Sequence, residues 1–190
     1  MTHAPEQRTT LRFVRHGATA ANLLGLRCGG DLDLELADCG RSQAEEAAQR
    51  IAGLCPPVGI IVTSDLKRTR ETAQIIARAL GKPAIVVEPE FAERSLGEWN
   101  LHPIDETQSW LDQGLTPPGG ESRETFAERI ARAARRVMAQ FPGSPLLVGS
   151  KGVARVLSEL SSQPAPAELD NAALAEYDLE GLAVSERGLS

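Results

Sequence analysis

Apolar residues fall in short runs that switch repeatedly between strand and helix periodicity along the chain. Leu11-Arg12-Phe13-Val14 is a brief run ending at Arg15-His16-Gly17, and it reads as a strand that delivers those three residues to its carboxyl end. Ala44, Ala47, Ala48, Ile51 and Leu54 recur at helical spacing and predict a helix over 40–54, stopped by Pro56-Pro57. The β-branched run at 59–63 has the pattern of a strand covered on both faces. A second helix is expected over about 65–80, with Leu66, Thr69, Ala73, Ile76, Ala77 and Leu80 on one face and Gly81 as its C-terminal cap. Ala84 to Glu88 reads as another strand. Further on, Phe126, Ile130, Ala133, Val137 and Phe141 predict a long helix over 123–141 capped by Ser122. Strands at 145–149 and 172–179 flank a helix at 152–160.

This alternation implies an α/β fold, a three-layer α/β/α sandwich with a mainly parallel sheet and helices on both faces. Residues 89–121 are the least regular stretch, carrying Pro89, Pro103, Pro117, Pro118, Gly119 and Gly120. A connection of that length within a compact unit suits a functional cap or lid. At 190 residues the chain suits one domain spanning 1–190, with a loose polar leader at 1–9.

Composition narrows the chemistry. Twenty basic and 26 acidic side chains give a net charge of −6, the wrong sign for non-specific nucleic-acid binding, so any positive charge meeting a ligand must be local. No apolar run is long enough for a membrane helix and no secretory signal is visible, which makes the cytoplasm the expected location. Cys28, Cys39 and Cys55 are odd in number and lack CxxC spacing, and they read as reduced thiols. His3, His16 and His102 have no metal-ligand spacing, so neither metal nor other cofactor is expected.

Ligands of open α/β sheets bind beyond the carboxyl ends of the strands. Three segments put polar residues there: Arg15-His16-Gly17, Thr63-Ser64-Asp65 with Arg68, and Gly149-Ser150-Lys151-Gly152. Free N–H groups at such positions favour an anion. Lys67, Arg68 and Arg70 sit in the first turns of the 65–80 helix, where the macrodipole disfavours cations. Arg68, beside Leu66 and Thr69, is the candidate to meet an anion, whereas Lys67 and Arg70 read as solvated. A lone histidine is compatible with a structural role, but His16 between an arginine and a glycine at a strand end suits an anion site.

From Leu11 to Asn22 the chain resembles the signature of the histidine phosphatase (phosphoglycerate-mutase-like) superfamily: an apolar strand, Arg15-His16-Gly17, then Thr19 and Asn22. Residues 63–73, 91–99 and Pro118-Gly119-Gly120-Glu121-Ser122 resemble its later blocks in order, as does Asn171-Ala172-Ala173 before the last strand. The resemblance implies that His16 is a nucleophile forming a phosphohistidine, with Arg15 and Arg68 clamping the phosphoryl oxygens. Asn22 would add a neutral donor, and Glu93 would act as acid and then base. The partner implied is a small phosphorylated substrate or inorganic phosphate, with no nucleic acid or membrane; the oligomeric state is left open. Trp99, His102, Thr107 and Trp110 are candidates to meet the non-phosphate part, with loop packing an equal reading for His102 and Trp110.

The chain departs from the family pattern at one position. Aligning Gly152-Val153 and Arg155 with the family puts Ser150 where a second histidine belongs, with Lys151 beside it as a further candidate for binding the ligand. Loss of one such donor corresponds to about 3 kcal/mol. Three readings follow: a phosphomonoesterase retuned around Ser150, an impaired pseudo-phosphatase that binds a phosphorylated ligand, or an engineered substitution. A regulatory module that keeps only the fold is the alternative of a different class. A mutase is disfavoured, because residues 91–99 lack the Arg-rich, Tyr-containing stretch of the family's mutases.

Overall fold

The computed structural model of the chain describes residues 10–161 and 169–179. The proposed leader at 1–9 lies outside them. Five strands, β1 (Thr10–Arg15), β2 (Ile60–Thr63), β3 (Ala84–Val87), β4 (Leu146–Gly149) and β5 (Leu174–Asp178), form one sheet in the order β3-β2-β4-β1-β5. β3, β2, β4 and β1 run parallel, and β5 alone is antiparallel, against β1. The expected mainly parallel α/β sheet is therefore present, with one antiparallel edge.

The period of two in the strands sorts side chains into two cores. Leu11, Phe13, Val62 and Leu147 face a cluster completed by Phe126, Ile130, Val137, Val153 and Leu157. These come from α5 (Arg123–Gln140) and α6 (Lys151–Leu160). Val14, Ile61, Leu146 and Val148 face the opposite cluster, with Ala47, Ile51, Ala73 and Ile76 from α2 (Asp38–Ala52) and α3 (Lys67–Ala79). Helices thus cover both faces, and their apolar stripes match the spacing read from the sequence. Caps fix several of their ends. The Ser122 hydroxyl accepts the Thr125 N–H at 3.1 Å at the start of α5, and Gly81, at φ +80°, takes the left-handed turn after α3.

The 89–121 segment is more ordered than its composition suggests. It contains two 3₁₀ turns (Pro89–Phe91 and Gly97–Trp99) and a helix, α4 (Ile104–Asp112). Only Thr107 of α4 is buried, and its apolar residues, Ile104, Trp110 and Leu111, are too few in nine residues to mark a helix among the surrounding prolines and glycines. A further short helix, α1 (Ala20–Leu23), is set by a capping box between Thr19 and Asn22.

Candidate active site

Parallel pairing puts Arg15 opposite Gly149, so the ends of β1 and β4 lie side by side. The chain then continues from β1 into His16 and from β4 into Ser150. The His16 N–H donates to the Gly149 carbonyl at 2.9 Å, locking the two loops together. Asn171 supports the same turn by donating its amide to the His16 carbonyl at 3.0 Å, and the Thr72 hydroxyl accepts the Gly17 N–H at 3.2 Å.

The His16 ring is buried, with 4% of the residue exposed. Its Nδ1 lies 2.7 Å from the Gly17 carbonyl oxygen. A carbonyl can only accept, so Nδ1 carries the hydrogen, and in the neutral ring Nε2 keeps its lone pair. Burial, followed by the Arg68 guanidinium and then Arg15, holds the imidazole well below its usual protonation range, against the opposing pull of the Gly17 carbonyl. The ring is therefore neutral at pH 7 with a bare Nε2, the state a nucleophile requires.

Arg68 enters from the first turn of α3 and is 1% exposed. It donates to the carbonyls of Leu32 (3.0 Å) and Gly29 (3.1 Å), which uses two of its five N–H groups to order the loop after α1. Lys67 and Arg70 are exposed. The α3 N-terminus is capped from outside, by Asp33 accepting the Lys67 N–H at 2.7 Å. Arg15 anchors one guanidinium nitrogen on the Leu169 carbonyl at 2.7 Å, and its buried Nε has no partner among the described residues. Burial lowers the Arg15 pKa, with Glu93 and Asp170 acting in the opposite sense.

Glu93 faces this group from the loop after the first 3₁₀ turn. One carboxylate oxygen accepts the Arg94 N–H at 2.8 Å and the other the Gly152 N–H at 2.9 Å, at the start of α6. A Cβ on residue 152 would collide with that carboxylate, which accounts for glycine there. Ser150, 2% exposed, is the N-cap residue of α6, yet its hydroxyl neither caps the helix nor finds any partner among the described residues. An unpaired buried hydroxyl costs about 1–3 kcal/mol unless something meets it. Lys151 is exposed in the first turn of α6.

His16, Arg15, Arg68, Glu93 and Ser150 thus converge on the carboxyl edge of the sheet. Asn22 stands beside them, its Oδ1 accepting from Thr19 N (3.0 Å) and Asn171 Nδ2 (3.4 Å), so its amide nitrogen is the end available as a donor. Of the 89–121 candidates, Trp99 and Trp110 pack at a tilt of 49° with ring centroids 5.1 Å apart, and His102 lies 6.1 Å from Trp110. Thr107 is fully buried, and its hydroxyl accepts from Arg27 Nε at 2.7 Å and donates to the Pro103 carbonyl. That engagement makes Thr107 a packing residue rather than a ligand contact. Thr72, which holds the Gly17 N–H, and Arg129 of α5, which holds the carbonyls of Glu90, Ala92 and Glu93, escaped the sequence reading, as did Arg27, which binds α4; nothing in their local pattern separates them from solvated or core positions.

Among the described residues no group of His, Cys, Asp and Glu side chains could hold a metal ion, and no helix is long and apolar enough to cross a membrane.

The chain matches known proteins along most of its length. Residues 11–188 match the model of the histidine phosphatase superfamily (branch 1). The chain is 34% identical over 184 residues to the "Probable phosphoglycerate mutase GpmB" of Yersinia pestis, covering 88% of this chain and 84% of that protein. It is 33% identical to the Arabidopsis thaliana phosphoglycerate mutase-like protein 4 across 73% of this chain, a match spanning only 64% of the plant protein. Among solved structures, the mycobacterial glucosyl-3-phosphoglycerate phosphatase in complex with VO3 superposes with a TM-score of 0.76 at 27% identity, over 88% of this chain and 90% of that one. A Thermus thermophilus protein superposes with a TM-score of 0.72 at 25% identity, over 90% and 95%. This chain belongs to the histidine phosphatase superfamily, branch 1.

Proposed function

We propose that the chain is a phosphomonoesterase acting on a small phosphorylated metabolite through a phosphohistidine on His16. The observation that carries this is the state of that ring. It is buried and neutral, Nδ1 is committed to the Gly17 carbonyl, Nε2 keeps its lone pair, and two guanidinium groups act on the ring. In the first half-reaction Nε2 attacks phosphorus, the bond from phosphorus to the ester oxygen breaks, and Glu93 delivers a proton to the leaving alkoxide. In the second half Glu93 takes a proton from water as its oxygen attacks phosphorus, releasing inorganic phosphate and restoring His16. Arg15 and Arg68 stay charged throughout and meet the phosphoryl oxygens, Asn22 adds a neutral donor, and Ser150 offers its hydroxyl. Lys151 is a further candidate contact at the rim.

Ser150 stands where the family pattern has its second histidine, and on this reading it weakens transfer without abolishing it. The other roles are all filled, which supports catalysis over binding alone. A mutase is less well supported. Arg94, the only arginine between 91 and 99, is committed to the Glu121 carbonyl at 2.8 Å and the Leu115 carbonyl at 3.1 Å. The 89–121 segment borders the site and is the part expected to meet the remainder of the substrate. Hydrolysis of p-nitrophenyl phosphate, lost in His16→Ala, is the expected result; activity retained by His16→Ala would refute the proposal.

A further inference from the structure

Arg129 lies on α5, outside the converging group, yet all five of its N–H groups are engaged, three of them on the loop that carries Glu93. Nε donates to Glu121 Oε1 at 2.8 Å and Nη2 to Glu121 Oε2 at 2.8 Å, a bidentate pair. The remaining three bonds go to consecutive turns of one loop: Nη1 to the carbonyls of Glu90 (2.6 Å) and Ala92 (2.8 Å), and Nη2 to that of Glu93 (3.0 Å). The guanidinium also lies 4.8 Å from the centre of the Phe126 ring, which belongs to the core. Glu121 fastens the far side of the same loop, since its own N–H donates to the Ser95 carbonyl at 2.9 Å and its Oε2 accepts the Ser95 N–H at 3.4 Å.

Three carbonyls gathered on one planar cation, itself anchored to a carboxylate and a core ring, fix the backbone at 90–93. The Glu93 side chain has few remaining degrees of freedom, and the N–H groups of Arg94 and Gly152 take both its oxygens. No cation of another shape can replace this: an ammonium has three donors and no fork, so it cannot hold the carboxylate and all three carbonyls together. The contacts have no bearing on the phosphate-binding arginines or on His16. Their consequence falls on the proton-transferring group alone.

We propose that Arg129, held by Glu121, is a positioning residue for Glu93, setting the carboxyl against the leaving-group oxygen; this rests on the phosphomonoesterase reading above. Proton delivery matters most when the leaving group is a poor one. An alkyl phosphate such as glycerol phosphate should depend on it heavily, and p-nitrophenyl phosphate much less. The quantity to read is kcat/KM, which covers the steps through phosphoryl transfer to His16.

The experiment compares the wild-type chain, Arg129→Lys, Glu93→Gln and the double variant on both esters. Arg129→Lys should lower kcat/KM for glycerol phosphate at least about tenfold and for p-nitrophenyl phosphate less than about threefold. Its effect should largely vanish in the Glu93→Gln background, because the group it positions is already disabled. Equal losses on the two esters, or losses that add fully to those of Glu93→Gln, would show a general structural role and overturn the assignment. Should Arg129→Lys fail to fold, Glu121→Gln weakens the same anchor and is expected to show the same ester selectivity, with equal losses again overturning it. A wild-type chain that hydrolyses neither ester overturns the phosphomonoesterase reading and this assignment with it, which separates that failure from a failure of Arg129 alone.

Discussion

Replacing Ser150 by histidine tests the proposal that serine stands in for the second histidine of the family pattern. The Ser150 hydroxyl is buried at the N-terminus of α6, one residue beyond the Gly149 carbonyl that holds the His16 N–H, and makes no bond among the described residues. An imidazole there would place an N–H donor, charged or neutral, beside a phosphoryl group bound at His16. A preorganised donor of this kind is worth about 3 kcal/mol in the transition state, or about 100–1000-fold in rate. Two effects reduce the gain. Burial, and after it Arg68 and Arg15, disfavour a cation in this space, as the lowered pKa of His16 records, so the new ring acts mainly as a neutral donor. The larger side chain must also fit at a position now occupied by a small one, a change that costs about 1–3 kcal/mol where packing is tight. A net gain of at least about 1.4 kcal/mol, or about tenfold in kcat/KM, is the expected result. Steady-state rates on p-nitrophenyl phosphate for wild type, Ser150→His, His16→Ala and the double variant provide the assay, with both His16→Ala chains inactive. A fall in activity with Ser150→His, from a wild-type chain that turns over briskly, would show that serine is the working residue and that the weakened-donor account is wrong.

Other perturbations address separate parts of the site. Gly152→Ala strains the Gly152 N–H bond to Glu93 but suits a helix, so the two effects offset and the melting temperature should change little. The added methyl displaces the Glu93 carboxylate, however, and kcat should fall by about tenfold or more; undiminished activity would refute the close approach. Because the folded-state pKa of His16 is depressed, the unfolded chain takes up a proton that the folded chain refuses. Stability from this group is present above the ordinary histidine range and is lost as pH falls below about 6.5. Subtracting the denaturation profile of His16→Asn should isolate a slope of up to about 1.4 kcal/mol per pH unit in that window, and parallel profiles would contradict the buried, neutral ring.

Much of this architecture is legible in the sequence because burial on two faces leaves a pattern. The β1 run and the stripes of α2, α3, α5 and α6 can be read directly, and the strand ends then bring His16, Arg68 and Ser150 to one edge. Arg68 stands out because a cation at a helix start needs an explanation, and the structure supplies one in the carbonyls of Gly29 and Leu32, whose loop it orders. α4 is hard to read because it is short, buries only Thr107 and sits among prolines and glycines. The direction of β5 is equally hidden, because a strand's side-chain alternation is the same whichever way it pairs. Arg129 is one of many arginines on α5, and nothing in its spacing says that its donors turn inward to the loop holding Glu93. That information resides in carbonyl positions, which side-chain periodicity does not encode.

The central claim is a covalent one, that His16 Nε2 carries the phosphoryl group during turnover. Rapid acid-free quenching of the chain mixed with a phosphomonoester, followed by peptide mapping, reads this directly. The account predicts a phosphorylated peptide containing His16, stable to alkali and labile to acid, forming no more slowly than product appears and absent from His16→Ala. The same preparation under Glu93→Gln should accumulate more of it from a substrate with a good leaving group, as its hydrolysis then lacks a base. Steady hydrolysis with no phosphohistidine at any time, or phosphate found on another residue in a chain that still requires His16, would contradict it.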